Sequence, residues 1–495
     1  MSEDDALHAL TFGDVLREHR RSYPDRTAVV CGEHRFTYPD LDGRVNRLAN
    51  ALAGLGVTEG ERVLWLGQNC HRFLETLLAT AKLGAICCPA NWRNSASEMA
   101  FVIDDAKPRV VIWQDQEIGE RVRAAREQAT HRCRWFQHDN DEYEALLLGA
   151  SVTDPDLPVD PAAPVLVLYT AAFEGTPNGA LLSQTAVLWQ SLVWATTHDF
   201  TYETVYLASE PMFHVAGLMN LIGAFHVGGT NVFTRRIDAE QMCALIAADR
   251  CTTAYFVDKT INEIVELNKD GKHDLTTLRS PPRNPAWDAM VTLGTSPWEQ
   301  HMGGYGQTET MGMLTYNCLG GRALPGAQVR VVDQYDNELP PGEAGELAAR
   351  GPTTMSGYFE RPELNPRRQR GDWHHTNDLA RREGDGALTW LGSMDRLIKS
   401  GSENVYPAEV ESCIRAHPAI ADCEVIGVID PELGQLVKAR VVLRAGQQLS
   451  AEELIRHCEG RVASYKKPRE VEFVAGYKGV RLRADARVRR ARRSS

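Results

Sequence analysis

Along the first 150 residues the apolar positions switch between two periods. Residues 12–21 and 40–55 carry apolar side chains at helical spacing, and Gly56 follows the second run as a stop signal. Short β-rich or apolar runs stand between such stretches, at 27–31, at 35–38 after the turn Gly32-Glu33-His34, at 62–66 and at 109–113. A third helix is predicted over 72–83, closed by Gly84. Strands alternating with helices of this length predict βαβ units and a parallel sheet. Residues 154–164 hold four prolines and read as a linker or loop between sub-lobes. No internal repeat or low-complexity tract interrupts the pattern.

After residue 325 the texture changes. Short strands are predicted at 328–332, 346–350 and 387–391, separated by the turn signals Pro340-Pro341-Gly342 and Asp385-Gly386. A compact α/β segment follows, with helices at 407–416 and 451–462 and strands at 419–428 and 436–443. This reads as a separate domain, 395–495, after a larger one, 1–394. Length agrees, because the chain has 495 residues and single cores stop growing near ~250–300.

Composition narrows the class. With 43% hydrophobic and 24% charged residues the chain is globular, not disordered. A net charge of −12 disfavours a nucleic-acid binder, and no apolar run approaches the ~20 residues of a membrane span. The acidic start MSEDDALHAL lacks a secretory layout, and none of the 11 cysteines forms a CxxC pair. Reduced thiols in a cytoplasmic protein are therefore expected. No HExxH or Cys/His spacing suggests zinc. The last 15 residues hold seven arginines and one acid, a solvated tail or a phosphate-attracting arm.

Four stretches carry candidate chemistry. The loop 169–179 follows the apolar strand 165–168 and contains Gly175 and Gly179; backbone N–H groups of such a loop can cradle phosphates. Gly303-Gly304-Tyr305-Gly306-Gln307-Thr308-Glu309-Thr310 packs hydroxyls, an amide and a carboxylate into one turn. It can offer Thr308 to a phosphate and Glu309 to Mg²⁺, a cation that takes oxygen ligands. In Thr376-Asn377-Asp378-Leu379 the carboxylate can accept hydrogen bonds from a ribose diol. The run 392–411 places Asp395 at the domain boundary, Gly401 at a tight turn and Pro407 at a helix start.

In this order, the four resemble the AMP-forming acyl-adenylating superfamily, which includes acyl-CoA synthetases, nonribosomal-peptide adenylation domains and firefly luciferases. Asn91-Trp92-Arg93, Pro211-Met212-Phe213-His214, Gly345-Glu346-Leu347, Gly357-Tyr358 and Tyr465-Lys466-Lys467-Pro468 extend the likeness over nearly the whole chain. It implies an α/β fold: a large N-terminal domain of two α/β sub-lobes plus a small β-barrel-like lobe, and a small mobile α+β C-terminal domain. It implies a two-step reaction, in which a carboxylate attacks the α-phosphate of ATP with Mg²⁺ and a thiol, usually of CoA, then displaces AMP. Carried over residue by residue, it places Thr170, Gly175, Asn178, Gly294, Tyr305, Gly306, Gln307, Thr308, Asp378, Asp395 and Lys399 at the nucleotide, Glu309 at the metal, and His214 and Arg487 beside Thr308 and Glu309 in catalysis.

Several positions depart from that pattern. The hydroxyl-rich phosphate loop has become Ala171-Ala172-Phe173-Glu174, its lysine Asn178, the hinge-motif arginine Ser393, and the C-terminal Gly-Lys Ala486-Arg487, amid Arg481, Arg483 and Arg489. Three readings follow: an acid–CoA ligase, an enzyme that adenylates nitrite to diazotise an arylamine, or a catalytically weakened nucleotide or acyl binder. A homodimer is compatible with each. The resemblance lines the acid pocket with 214–218, 254–260 and the segment before Gly303. Asp258 and Lys259 are then either a surface ion pair or charges near a small polar or aromatic acid; Trp287 and Trp298 are either pocket walls or core.

Overall fold

The computed structural model describes residues 9–170, 176–295, 303–394, 398–401, 403–405 and 407–474. They divide into two compact units, one lying within 9–394 and a smaller one made chiefly of 398–474.

Among the described residues, three larger sheets and three two-stranded ones build the large unit. The first has seven strands in the order Gly357–Tyr358, Gly179–Ser183, Pro164–Tyr169, Ile86–Pro89, Arg62–Leu66, Val110–Trp113 and Arg134–Gln137. The last five run parallel, as the βαβ pattern predicts, and the first two are antiparallel. Its central strands are apolar without alternation because helices cover the sheet. Leu64, Leu66 and Val111 share one core with Met99, Ile103 and Val122 of the helices Ala96–Ala106 and Gly119–Gln128. The second sheet runs Thr253–Ala254, Val205–Ala208, Thr230–Phe233, Thr27–Cys31 and His34–Thr37, parallel except for the last strand. Leu207 and Val232 pack there with Met242, Ile246, Ile264 and Trp287. The third is antiparallel, in the order Gln328–Val332, Ala344–Arg350, Trp373–Arg382 and Gln369–Arg370, with Leu388–Ser393 also paired to Trp373–Arg382.

The small unit is α+β. Its sheet holds Glu403–Val405, Ile398–Ser400, Gly434–Leu443 and Ile420–Asp430, with Glu470–Phe473 beside Gly434–Leu443. Val410, Ile414, Val425, Val441 and Leu454 join this sheet to the helices Pro407–Arg415 and Ala451–Cys458 in one core.

Local chemistry shifts several predicted ends. The strand expected over 35–38 stops at Thr37, because Thr37 caps the helix Tyr38–Gly54. Its hydroxyl accepts from Asp40 N–H at 3.3 Å, and the Asp40 carboxylate accepts from Thr37 N–H at 3.0 Å. The helix expected to reach 462 ends at Cys458, where Glu459 is extended and Gly460 takes φ +77°. Residues 154–164 carry neither helix nor strand before Pro164. They are tied down by Asp154, which accepts from Lys82 at 2.6 Å and from Arg17 at 2.9 Å. Ten described cysteines are free thiols. Among the described residues no helix is long and apolar enough to cross a membrane.

Candidate functional site

The glycines of the 303–310 motif are required by close approach. A Cβ on Gly304 or Gly306 would stand 2.0 Å from the carbonyl oxygen of Thr315 or Gly312. Only glycine lets Gly306–Gln307 pair with Gly312–Met313 in so tight a hairpin. Between these strands the chain makes a single 3₁₀ turn, Thr308–Thr310, closed by Met311 at φ +49° and by the Met311 N–H to Thr308 carbonyl bond of 3.0 Å.

This turn is tied to the third sheet. Tyr305 Oη and Gln307 Nε2 each donate to Asp378 Oδ2 at 2.8 Å, and Gln307 Nε2 also donates to the Thr376 carbonyl at 2.9 Å. Thr376 Oγ1 donates to the Leu347 carbonyl at 2.7 Å and accepts from Asp378 N–H at 3.2 Å. Asn377, between them, sits at φ +61°. That left-handed conformation is one that glycine and asparagine adopt more readily than other residues. Burial and then the Asp378 charge raise the Tyr305 phenol well above its usual range, so it stays a donor.

Glu309 is 8% exposed. Tyr358 Oη donates to its Oε1 at 2.7 Å, and its carbonyl accepts from Met355 N–H at 2.7 Å. Burial, the largest influence, pushes its carboxyl above the ordinary value; the Tyr358 bond and the nearby Arg368 charge pull the other way without prevailing. His374, fully buried, is held down to about 3, mainly by burial and then by Arg368, so it is a neutral imidazole. A carboxylate with one accepting bond to Tyr358 has capacity left for a hydrated Mg²⁺, which commonly uses one or two protein carboxylates plus phosphates. Among the described residues no group of three or more His, Cys, Asp and Glu could hold a metal alone.

At the ends of the Gly-containing loop, Thr170 N–H donates to the Asn178 carbonyl at 2.9 Å and Thr170 Oγ1 to the same oxygen at 3.3 Å. Asn178 is 2% exposed, and its Oδ1 accepts from Arg361 Nε at 2.8 Å. Gly294 is buried and donates to the Ser280 carbonyl at 2.9 Å. His214 is exposed at the N-cap of the helix Val215–His226, its ring 4.7 Å from that of Phe213. Lys399 lies in the small unit, on the strand Ile398–Ser400, where its N–H donates to Gln435 Oε1 at 2.8 Å. Gly175, Asp395, Trp298, Arg481, Arg483, Arg487 and Arg489 lie outside the described residues.

One open alternative closes, and a second closes for Trp287. Asp258 and Lys259 are surface groups, more than four-fifths exposed, in long ion pairs with Arg283 (3.4 Å) and Glu263 (4.0 Å). Trp287 is core: it packs edge-on to Phe256 and donates to Ser280 Oγ at 2.9 Å. Sequence reasoning gave no role to Tyr358, Arg361 or Arg368. Each lies far along the chain from its partner at the site, so no local spacing could flag it. The large unit also holds a cavity of about 260 Å³ lined by Trp194, His198, Phe200, Asn220, Thr253 and Tyr255 among others.

Against known proteins, the family model of the AMP-binding enzyme matches residues 16–359, and that of the AMP-binding enzyme C-terminal domain matches 409–478. Indoleacetate–CoA ligase of Aromatoleum aromaticum is 32% identical over 94% of this chain and 94% of its own length. Feruloyl-CoA synthase of an Amycolatopsis species is 32% identical over 92% and 93%. Among solved structures, a Mycobacterium tuberculosis fatty acyl CoA synthetase superposes with TM-score 0.69 at 26% identity over 98% of this chain and 99% of that one. The o-succinylbenzoate CoA synthetase of Bacillus subtilis shares the fold with TM-score 0.79, at 23% identity over 94% and 95%.

Proposed function

Because the chain belongs to the AMP-binding enzyme family and is an AMP-forming acid–CoA ligase, we propose how its residues divide that work and which acid it takes. Asp378 holds the ribose diol of ATP. Tyr305 and Gln307 orient its carboxylate through their bonds to Oδ2. Thr308 donates to the phosphates. Glu309 holds Mg²⁺, which when bound offsets phosphate charge and polarises the α-phosphoryl oxygen. The observation that carries this division is the junction of Tyr305 and Gln307 with Asp378, 73 and 71 residues away, next to the buried Glu309.

A carboxylate is a poor electrophile, and attack of its oxygen on the α-phosphorus gives a mixed anhydride and releases pyrophosphate. The CoA thiolate then attacks the acyl carbon, the C–O bond to AMP breaks, and AMP leaves with the electron pair. The protein's part in the first step is positioning and charge neutralisation. Thr308 and Glu309 are preorganised by the hairpin, so little reorganisation is needed as charge develops.

The acid is an aryl-sized carboxylic acid with polar substituents. The cavity is lined by aromatic rings (Trp194, His198, Phe200, Tyr255), hydrogen-bonding groups (Asn220, Thr201, Thr252, Thr253) and the charged Asp199, Glu203 and Arg279. Ala254, in its wall, belongs to the stretch that the resemblance assigned to the acid. A fatty tail gains nothing from such polar walls. The two relatives named for indoleacetate and feruloyl-CoA favour the same class, and nothing here supports nitrite. The test is AMP release and thioester formation with CoA over arylacetic, hydroxycinnamic, short and long-chain acids and nitrite. Highest kcat/KM on an aryl acid is expected; preference for a long-chain acid or for nitrite would overturn the assignment.

A further inference from the structure

We infer that Arg361 is a positioning residue for the phosphate-binding end of the ATP site. Resting on the ATP assignment above, it acts by clamping together the two strand ends that bear Thr170 and Asn178.

Arg361 follows Tyr358-Phe359-Glu360, well away in sequence from either strand end. Its side chain is about four-fifths buried, and its guanidinium makes bonds in three directions. Nε donates to Asn178 Oδ1 at 2.8 Å. NH2 donates to Asp105 Oδ1 at 2.7 Å and to the Pro177 carbonyl at 3.3 Å. NH1 turns back to the Phe359 and Glu360 carbonyls at 3.3 and 3.4 Å. Asp105 is itself shared, because its Oδ2 accepts from Tyr169 Oη at 2.7 Å. Tyr169 ends the strand Pro164–Tyr169, and Asn178 immediately precedes the antiparallel strand Gly179–Ser183. With the two Thr170 bonds to the Asn178 carbonyl, a ring closes: Tyr169, Asp105, Arg361, Asn178, Thr170. The Phe359 N–H bond to the Gly179 carbonyl at 2.8 Å holds the arginine's own segment against the same strand.

The geometry gives position 178 a meaning that its sequence does not suggest. The resembling motif has lysine there, and asparagine looks like a lost cation. Yet the side chain at 178 is buried and serves as an acceptor for a guanidinium. Lysine has donors only and would set a second positive charge beside Arg361. Asp105 balances the arginine, so Arg361 orients its neighbours and does not present an unpaired charge to phosphate. A planar fork is suited to this, because it can serve Asn178 and Asp105 at fixed angles simultaneously.

The experiment is equilibrium binding of ATP–Mg²⁺ and of AMP to the full-length chain, with thermal unfolding recorded for each variant. AMP shares the ribose held by Asp378 but lacks the β- and γ-phosphates. Arg361→Gln is expected to weaken ATP at least ~10-fold, the scale of one lost charge-assisted hydrogen bond, and to leave AMP affinity unchanged. Arg361→Lys should rescue only part of the loss. Asn178→Ala removes the acceptor but keeps the Arg361–Asp105 pair, and should weaken ATP in the same selective way even if Arg361→Gln fails to fold. The double variant should be no weaker than the worse single one. Asn178→Lys, despite adding a cation, should weaken ATP. Equal losses for ATP and AMP, additive losses, tighter ATP binding by Asn178→Lys, or unchanged ATP affinity in folded Asn178→Ala would each overturn the inference. Failure of the native chain to bind either nucleotide would overturn the ATP assignment and this inference with it.

Discussion

Two clusters of buried charge in the large unit, around Lys82 and around Glu309, are built on opposite rules. Lys82 is 2% exposed, and its ammonium donates to Asp42 Oδ1 at 2.7 Å, Asn46 Oδ1 at 2.6 Å and Asp154 Oδ2 at 2.6 Å. Three protons meet three acceptors, and Arg17 and Arg20 complete the pairing of the two carboxylates at 2.9 Å each. Burial pushes the Asp154 carboxyl up, but bonds from Arg17 and Lys82 outweigh it and hold the group far below the carboxylate range. Around Glu309 burial prevails instead, and one phenol and a nearby guanidinium do not offset it. The first cluster is saturated and fastens the 154–164 segment to the helices Phe12–Ser22, Tyr38–Gly54 and His71–Lys82. The second keeps a carboxylate that water no longer solvates, which suits the cation-binding role proposed for it.

The sharpest way to break this contrast is to remove the charge at each centre. Lys82→Met leaves Asp42 and Asp154 facing each other without their common partner, and should cost ~3–5 kcal/mol of stability, read by urea unfolding; a loss under ~1 kcal/mol would mean the cluster is not a fastening. Glu309→Gln should do the reverse. AMP formation should fall at least ~100-fold, or ~2.7 kcal/mol of transition-state stabilisation. Stability at pH 7 should hold or rise. The sign follows from linkage: a carboxyl raised in the folded state contributes stability that is fully present below its unfolded pKa and is lost as pH rises through the folded value. Near-normal AMP formation in Glu309→Gln would remove Glu309 from the metal.

Asp154 supplies the opposite pH signature. Its depressed carboxyl contributes stability present above the unfolded value and lost as pH falls through the folded one, so acid should weaken the native protein and Asp154→Asn should flatten that dependence. Asp378→Ala should raise the KM for ATP ~10–100-fold, since hydrogen bonds to a charged group are worth ~1.5–3 kcal/mol each; a complex with AMP whose ribose lies beyond hydrogen-bond distance of Asp378 would refute its role. The smallest effect is at Asn377. Asn377→Gly should be within ~1 kcal/mol of native, whereas Asn377→Val should cost ~1–2 kcal/mol more because a β-branched residue resists φ +61°. Equal stability of the two would mean that the left-handed turn does not matter there.

Much of the scaffold was legible from residue order. The strand 62–66 and the helices beginning near 12, 38 and 407 follow from apolar spacing and caps, which are local signals. The strand Ile86–Pro89 was not, because four buried residues ending in proline show no period. The short strands around 253, 279 and 292 escaped for the same reason. The Tyr-Gly-Gln-Thr-Glu string gave the nucleotide chemistry and its tight turn by composition and resemblance. It could not reveal that Gln307 is aimed at Asp378 or that Tyr358 holds Glu309.

By itself the sequence determined the alternating α/β architecture, the texture change after residue 325 and the functional groups that 303–310 and 376–378 offer, because periodicity, glycine sterics and functional-group identity are properties of neighbouring residues. Only the tertiary structure decided that Asn178 is an acceptor for Arg361, that Trp287 is core, that Asp258 and Lys259 face water, and that burial rather than pairing governs Glu309. Those outcomes depend on desolvation and, at Glu309 and Asn178, on partners 49 and 183 residues away, which packing alone brings within hydrogen-bond reach.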